Sequence, residues 1–519
     1  MGSRRRRTPT TDGWRGPATF GPGHSSRSIA ELVDHLRASG RVVTGGEAGV
    51  DAVFTGVYQD SRCVRPGSLY AALPGRRHHG AAFASDAAAL GAVAMLSDRP
   101  SDVLPTVVVD DPRAALGPVA AWAYGNPSAA LDLYGVTGTN GKTSTVYMVE
   151  AGLGAAGVRS GIVTGITVRG PGNVRAATRT TPEACELQQT FVEFTRAGVE
   201  AVAMEVSSHG LAERRVDGSR FGVAVFTNLA RDHLDFHSDM EAYYSAKARL
   251  FTPEFADSAA ICIDDAYGRR LVTETAVPHL TFSAHDPAAD VYASSVRLDR
   301  WGSSFTVHHG TRRVPVRLQL LGGHQVDNAV AALAALTARG IDLATAAAGI
   351  ESLRAVPGRL ERVDAGQPFL AVVDYVHNPA GQRRLFPYLR TVATGRIIVV
   401  LGATGERDPG KRAPLGFTAA TFADTVIVTD ESAFSDDAAA LRNEVAAGAR
   451  QAAHADVVVI PNRGDAIAAA VAVARADDVI LVAGRGHDPL LVDNGVAVAF
   501  DDRAALRRAL LAHTFQRRR

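Results

Sequence analysis

Short apolar runs closed by polar loops recur along the chain, and the recurrence starts twice. Residues 131–137, 201–206 and 221–227 are strand-length and almost wholly apolar, each followed by a loop rich in Gly, Ser, Thr, Asn or Asp. This predicts a doubly wound parallel sheet across residues 128–355. After Pro357-Gly358 the pattern begins again, with apolar runs at 369–374, 396–401, 425–429, 456–460 and 478–483 separated by helix-length, Ala-rich segments. A second, Rossmann-like sheet is expected across 356–519. Residues 28–127 are mixed, with a helix-like Ile29-Ala-Glu-Leu-Val-Asp-His-Leu followed by Asp60-Ser-Arg and Pro66-Gly-Ser-Leu-Tyr-Ala-Ala-Leu, and predict a small α/β domain. Residues 1–27, with Arg4 to Arg7 followed by Gly, Pro and Ser, read as a disordered Arg-rich tail.

In sheets of this kind ligands bind beyond the carboxyl ends of the strands. Those ends carry Asp374-Tyr-Val-His377, residues 402–408, Asp430-Glu431 and residues 484–488 in the second sheet. Two such sheets imply a cleft between domains.

Composition narrows the partners. At 519 residues and 46% hydrophobic content the chain is long enough for about three domains with cores of their own. Lys plus Arg (55) and Asp plus Glu (54) nearly cancel, which gives no reason to expect nucleic acid or an anionic membrane. Small-molecule substrates and a monomer are the expectation. Cys63, Cys185 and Cys262 lie far apart without metal-ligand spacing, as in a reducing compartment, so a cytoplasmic location is expected. No run of about 18 apolar residues and no secretory signal is present.

The first candidate chemistry follows the run 131–137. The stretch Gly135-Val-Thr-Gly-Thr-Asn-Gly-Lys-Thr-Ser-Thr145 resembles a Walker loop, but five residues instead of four separate its first glycine from Gly141-Lys142. Small residues at Gly138, Thr139, Asn140 and Gly141 let backbone N–H groups close on phosphate oxygens. Lys142 adds a cation, Thr143 reaches Mg²⁺, and Ser144 opens a helix whose positive end faces the anion. Glu205, at the end of the next apolar run, is either an oxygen ligand for Mg²⁺ or a capping carboxylate. Residues 227–237, including Asn228, Asp232, His233 and His237, are too polar for a core. Residues 240–251 read as a helix with Met240, Tyr243, Tyr244, Leu250 and Phe251 on one face, and Lys247 lies on that face. Either Lys247 snorkels from a core edge or it is deprotonated or modified, because an ammonium buried beside a metal is costly.

The motifs "GVTGTNGKTS", "TTPEACELQ", "MEVSSHGL", "FTNLARDHLDFH", "YYSAKARLF", "PGRLERVD", "VVDYVHNP" and "AGRGHD", in order from about residue 50 to 505, resemble the Mur ligases. The likeness is greatest to the members that add the third amino acid to UDP-N-acetylmuramoyl-L-alanyl-D-glutamate. The resemblance implies three domains: 28–127 for the UDP end of the substrate, 128–355 for ATP, and 356–519 for the incoming amino acid. It implies ATP and Mg²⁺, with two ions, one held through a carbamylated Lys247. Thr143, Glu205 and His233 become metal ligands and Asn228 a γ-phosphate contact. Asn328 would contact adenine, Arg359, Asp374 and His377 would complete the nucleotide site, and Ser61, Thr180, Thr181, Ser208 and Arg215 would hold the UDP-muramoyl substrate. The implied reaction passes through an acyl phosphate, and the implied role is peptidoglycan synthesis, with cell shape and division depending on it.

Departures fall around the substrates. An Asp-Asn-Pro-Arg motif in the family is here Glu431-Ser432-Ala433-Phe434, so no guanidinium stands at that position. The family's Gly-Lys-Gly-His-Glu is here Gly484-Arg485-Gly-His-Asp488. The amino acid is therefore expected to have a less acidic, more apolar side chain than diaminopimelate, with Ser432, Phe434, Gly484 and Asp488 around it. An amide ligase acting on another carboxylate in a specialised pathway is the alternative reading. A non-catalytic nucleotide-binding regulator would not need both the metal cluster and Lys247.

Overall fold

The computed structural model describes residues 26–45, 51–75 and 78–517. Most of the expected Arg-rich tail lies outside them. Arg27, placed in that tail by the sequence, instead pairs with Phe54 in a two-residue strand, and its guanidinium lies 4.7 Å from the Trp122 ring. Ser28 then caps the helix Ile29–Ala38 in a capping box with Glu31, and Ile29, Leu32, Val33 and Leu36 bury one face of it. Behind it stands a five-stranded sheet in the order Val43–Gly45, Thr106–Val109, Ala92–Ser97, Ser68–Ala72, Gly56–Tyr58, parallel except for its first strand.

Six parallel strands form the heart of the central sheet, in the order Ser160–Val163, Ala201–Glu205, Asp132–Thr137, Phe221–Phe226, Ala256–Cys262, His279–Ser283. The middle ones are buried on both faces, which is why they read as unbroken apolar runs. The sheet reaches eleven strands through a hairpin, Thr167–Gly170 with Asn173–Ala176, at one edge, and Val291–Asp299, Gly302–His309 and Arg312–Leu318 at the other. These edge additions were not anticipated. Their burial is partial and tends to alternate, so their sequences carry only a two-residue rhythm among Ser, Thr and Arg.

The C-terminal sheet runs Glu361–Arg362, Leu370–Asp374, Val479–Ala483, Ile397–Leu401, Thr425–Val428, Asp456–Val459, parallel apart from its short first strand. Beneath it Arg463 is 1% exposed and Asp502 fully buried, joined by hydrogen bonds of 2.8 and 2.7 Å. Removing one partner strands a buried guanidinium, so Asp502→Ala should cost about 3–5 kcal/mol of stability. Urea unfolding of the variant checks this, and a loss below about 1 kcal/mol, the scale of an exposed pair, would contradict it.

Candidate active site

The strand Asp132–Thr137 delivers the chain into the glycine loop, and the helix Lys142–Ala155 leaves it. Gly138 (φ +147°) and Gly141 (φ +93°) are forced by crowding as well as by φ, since a Cβ would strike Thr227 Oγ1 at one and Asn328 Oδ1 at the other. Asn228 grips the loop: its Oδ1 accepts from Asn140 N at 3.1 Å and its Nδ2 donates to Asn140 O at 3.0 Å. Thr139 Oγ1 is 3.0 Å from the Tyr243 hydroxyl. Lys142 Nζ folds back onto the carbonyls of Gly138 (2.9 Å) and Thr139 (3.0 Å). Ser144 is buried in the first turn and lines the cleft.

From the loop a polar chain crosses to the C-terminal unit. Thr143 Oγ1 donates to Glu205 Oε1 (2.9 Å), which also accepts from Gly165 N (3.0 Å), and Arg359 Nη2 donates to Thr143 Oγ1 (3.0 Å). Asp374 holds the turn that carries Arg359, accepting from Leu360 N (2.6 Å) and Val376 N (2.7 Å). The Arg359 guanidinium lies 4.6 Å from the Tyr375 ring centre. His377 and Asn378 reach Asp232 at 3.6 and 3.2 Å. Between the two units a cleft of about 640 Å³ is lined by the glycine loop, Thr143, Asn228, Asn328, Arg359, Asp374 and His377. Eight of the expected nucleotide contacts, Asn140, Gly141, Thr143, Ser144, Asn328, Arg359, Asp374 and His377, therefore share one cavity.

Lys247 is 1% exposed. Its helix is α-helical over Met240–Ala248 and tightens to a 3-10 turn over Arg249–Phe251, with Met240 only half-buried. Lys247 Nζ donates to Gly138 O at 2.9 Å and sits 4.8 Å from the Tyr243 ring centre. Burial pushes the ammonium well below its ordinary range and Lys142 pushes the same way, so the amine is readily neutral. Three imidazoles lie close by: the His209 ring centre is 4.9 Å from that of His233 and 5.8 Å from that of His237. Burial lowers His233 to about 3 and His209 to about 4, leaving both neutral and able to ligate at neutral pH. His233 occupies the left-handed region (φ 56°), unusual for a residue with a side chain. The Nε2 of His237 is buried without a hydrogen-bond partner. Burial works to raise the Asp232 carboxyl, but His377, His233 and Lys411 hold it below the carboxylate range.

Thr181 Oγ1 donates to Glu205 O at 3.0 Å, and Arg215 donates to Thr181 O (3.3 Å) while pairing with Glu183 (3.1 Å). Ser208 opens the short helix Ser208–Ala212, and Thr180 packs beside Gly165. These four gather where the Glu205 strand ends. Ser61 stands in the N-terminal unit, beside an Asp60 carboxyl held low mainly by Arg62 and lastly by Arg179 of the central unit.

Across the cleft, Glu431-Ser432-Ala433-Phe434 follows the strand Thr425–Val428. Ser432 Oγ accepts from Val492 N (3.2 Å) and faces Arg485 Nη1 (3.4 Å); Phe434 is half-buried at φ 53°. Arg485 is 1% exposed, and its Nη2 donates to the carbonyls of Asp488 (3.0 Å), Leu490 (2.8 Å) and Phe500 (3.2 Å). Buried in this way, with Nη2 on three carbonyls and only Nε left without a partner, it does not present an open guanidinium in place of the missing arginine at position 434. Burial, with Arg485 opposing, raises the Asp488 carboxyl to about 6. Sequence reasoning gave Glu431 no role. It is 9% exposed, its Oε1 accepts from Thr404, and its Oε2 lies buried against Gly484 without a hydrogen-bond partner. An acidic residue at a strand's carboxyl end was the available signal.

A phosphate loop facing a second Rossmann-like unit across a cleft is the arrangement of ATP-dependent ligases that form amide bonds between an acid and an amino acid, and this chain is one of them. It belongs to the Mur ligase family. The Mur ligase middle domain matches residues 136–336, the Mur ligase glutamate ligase domain 358–486, and the Mur ligase family catalytic domain 53–121. The UDP-N-acetylmuramoyl-L-alanyl-D-glutamate–2,6-diaminopimelate ligase of Streptomyces avermitilis is 46% identical over 493 residues, 92% of this chain and 97% of its own. A solved UDP-N-acetylmuramoyl-L-alanyl-D-glutamate–2,6-diaminopimelate ligase superposes with a TM-score of 0.67 at 28% identity, covering 94% of this chain and all of the other. The MurF ligase of Thermotoga maritima in complex with ADP shares the fold at 19% identity, with a TM-score of 0.63 over 89% of this chain and 98% of its own.

Proposed function

We propose that this protein joins an amino acid to the D-glutamate carboxylate of UDP-N-acetylmuramoyl-dipeptide, using ATP to form an acyl phosphate that the amine then attacks. The observation that carries the reading is the chain Arg359–Thr143–Glu205, which ties the C-terminal unit to the phosphate loop and so couples closure to the nucleotide. Thr143, Glu205 and the neutral His233 are the donor set that fits Mg²⁺, which when bound neutralises charge on the transferred phosphoryl group. Lys142 exchanges its loop carbonyls for phosphate oxygens. A neutral Lys247 amine is the form that takes up carbon dioxide, and the resulting carbamate would carry a carboxylate toward a second ion, with the unpartnered His237 Nε2 within its surroundings. Thr181, Ser208 and Arg215 hold the muramoyl-dipeptide end, and Ser61 the uridine end. Closure aligns amine and acyl phosphate and excludes water.

The amino acid differs from the one in the relatives' names. Diaminopimelate brings a distal carboxylate, and with Phe434 in place of an arginine and Arg485 only 1% exposed, neither position offers that charge a solvent-facing guanidinium. Glu431 Oε2 favours an ammonium, which changes the expectation drawn from sequence: a basic side chain should outrank an apolar one, because the apolar one leaves Glu431 unpaired. Phosphate release with UDP-muramoyl-dipeptide and a panel of lysine, ornithine, alanine, leucine and meso-diaminopimelate tests both halves. We expect kcat/KM for lysine or ornithine to exceed that for diaminopimelate by about tenfold or more, the scale of one unpaired charge or hydrogen bond. A preference for diaminopimelate would overturn the specificity reading, and turnover with other acceptors but not the muramoyl-dipeptide would overturn the acceptor.

A further inference from the structure

Arg359 belongs to two cavities. One is the nucleotide cleft; the other, a wide groove open to solvent, lies between the hairpin turn around Trp301, the strand end at Arg317 and the connection from Glu351 to Arg362 that joins the central and C-terminal units. The charges of this second cavity are used unevenly. Its carboxylates are committed to backbone N–H groups: Asp299 accepts from Trp301 N (2.7 Å) and Gly302 N (3.0 Å), Glu351 from Arg317 N (2.6 Å), and Glu361 from Gly358 N (2.7 Å). The guanidinium groups of Arg317 and Arg354 pair with no carboxylate among the described residues. In the same cavity Trp301 leaves 60% of its surface exposed, with the guanidiniums of Arg362 and Arg300 4.4 and 5.8 Å from its ring centre. An exposed indole among guanidiniums is a platform for a flat ring carrying negative charge.

We infer that this cavity is a second ligand site, taking an anionic molecule with a planar ring, a nucleotide monophosphate in its simplest form: the base stacks on Trp301 and the phosphate meets Arg317 and Arg354. The residues of the catalytic cleft take no part in it except through Arg359, whose segment forms the cavity wall while its guanidinium contacts Thr143. A ligand seated here touches the connection that must bend when the cleft closes, so it acts on ligation without competing for ATP. The proposal stands whichever amino acid or acceptor the enzyme uses.

Calorimetric titration of the full chain with adenosine 5′-monophosphate, uridine 5′-monophosphate, adenosine and inorganic phosphate, each with ADP saturating the catalytic cleft, tests it. One further equivalent of either monophosphate should bind, with adenosine and phosphate each at least about tenfold weaker. Trp301→Ala and Arg354→Glu, both at exposed positions, should each abolish that equivalent and leave ADP binding and basal ligation unchanged. Absence of the further equivalent from the wild-type protein overturns the proposal, as does its persistence in both variants. Equal binding of phosphate and of the monophosphates would show an anion site without ring recognition and would overturn it too.

Discussion

Lys142→Ala is expected to lower ligation by about a hundred- to a thousandfold, the scale of about 3–4 kcal/mol lost when a preorganised electrostatic contact to a reacting group is removed. Lys142 supplies the charge closest to where the loop receives phosphate, and nothing beside it substitutes: Lys247 is turned onto the same Gly138 carbonyl with its charge suppressed by burial, and Arg359 is engaged on Thr143. The measurement is kcat for ADP formation at saturating ATP. The variant keeps its fold, because the lost bonds are to carbonyls of a loop that Asn228 and Thr227 still hold. Activity within a few-fold of the wild type would remove Lys142 from the phosphoryl-transfer step.

Loss of ligation is equally expected for Lys247→Ala, and here rescue is the informative outcome. If the Lys247 amine carries a carbamate, the alanine variant leaves a space that acetate or another short carboxylic acid refills with anionic oxygens, restoring part of the activity. Lys247→Arg fills the space with a permanent cation among His209, His233 and Lys142 and should show no rescue. Carbon-13 NMR of the active enzyme equilibrated with labelled bicarbonate reads the modification directly. The carbamate needs a neutral amine, and burial favours that form, so the signal should weaken as pH falls and the amine takes up a proton. An active, magnesium-loaded enzyme with no such signal would exclude the modification.

Much of the scaffold was legible in the chain for a definite reason. Strands buried on both faces must be apolar throughout, so Asp132–Thr137, Phe221–Phe226, Ile397–Leu401 and Val479–Ala483 appear as uninterrupted runs, and their carboxyl ends mark where loops with chemistry begin. The phosphate loop was equally visible, since backbone closure on an anion demands glycines within a few residues of one another and the local sequence carries all of it. Added strands such as Gly302–His309 escaped because their alternate positions are only half-buried, and a two-residue rhythm among Ser and Thr is weak evidence.

What the sequence by itself determined, then, is the class of fold, the loop, and the set of polar side chains at strand ends. Which of those side chains still have bonding capacity was decided by tertiary structure. Arg485 could have reached a substrate carboxylate as far as its position in the chain shows; its burial, with Nη2 on the carbonyls of residues 488, 490 and 500, follows only once the hairpin Leu490–Asp493 with Val496–Ala499 folds over it. Glu431 looks like any strand-end acid until Gly484, 53 positions away, covers its Oε2 and leaves it without a partner. Lys247 sits on an apolar helix face in either reading of the sequence, and it is the approach of Gly138 from a distant segment, beside Tyr243 of its own helix, that removes its water and disfavours the charge. Hydrogen-bonding capacity and protonation depend on which groups crowd an atom in space, and folding sets that crowding whether the groups are distant in the chain, as at Glu431, or within about fifteen residues, as at Arg485.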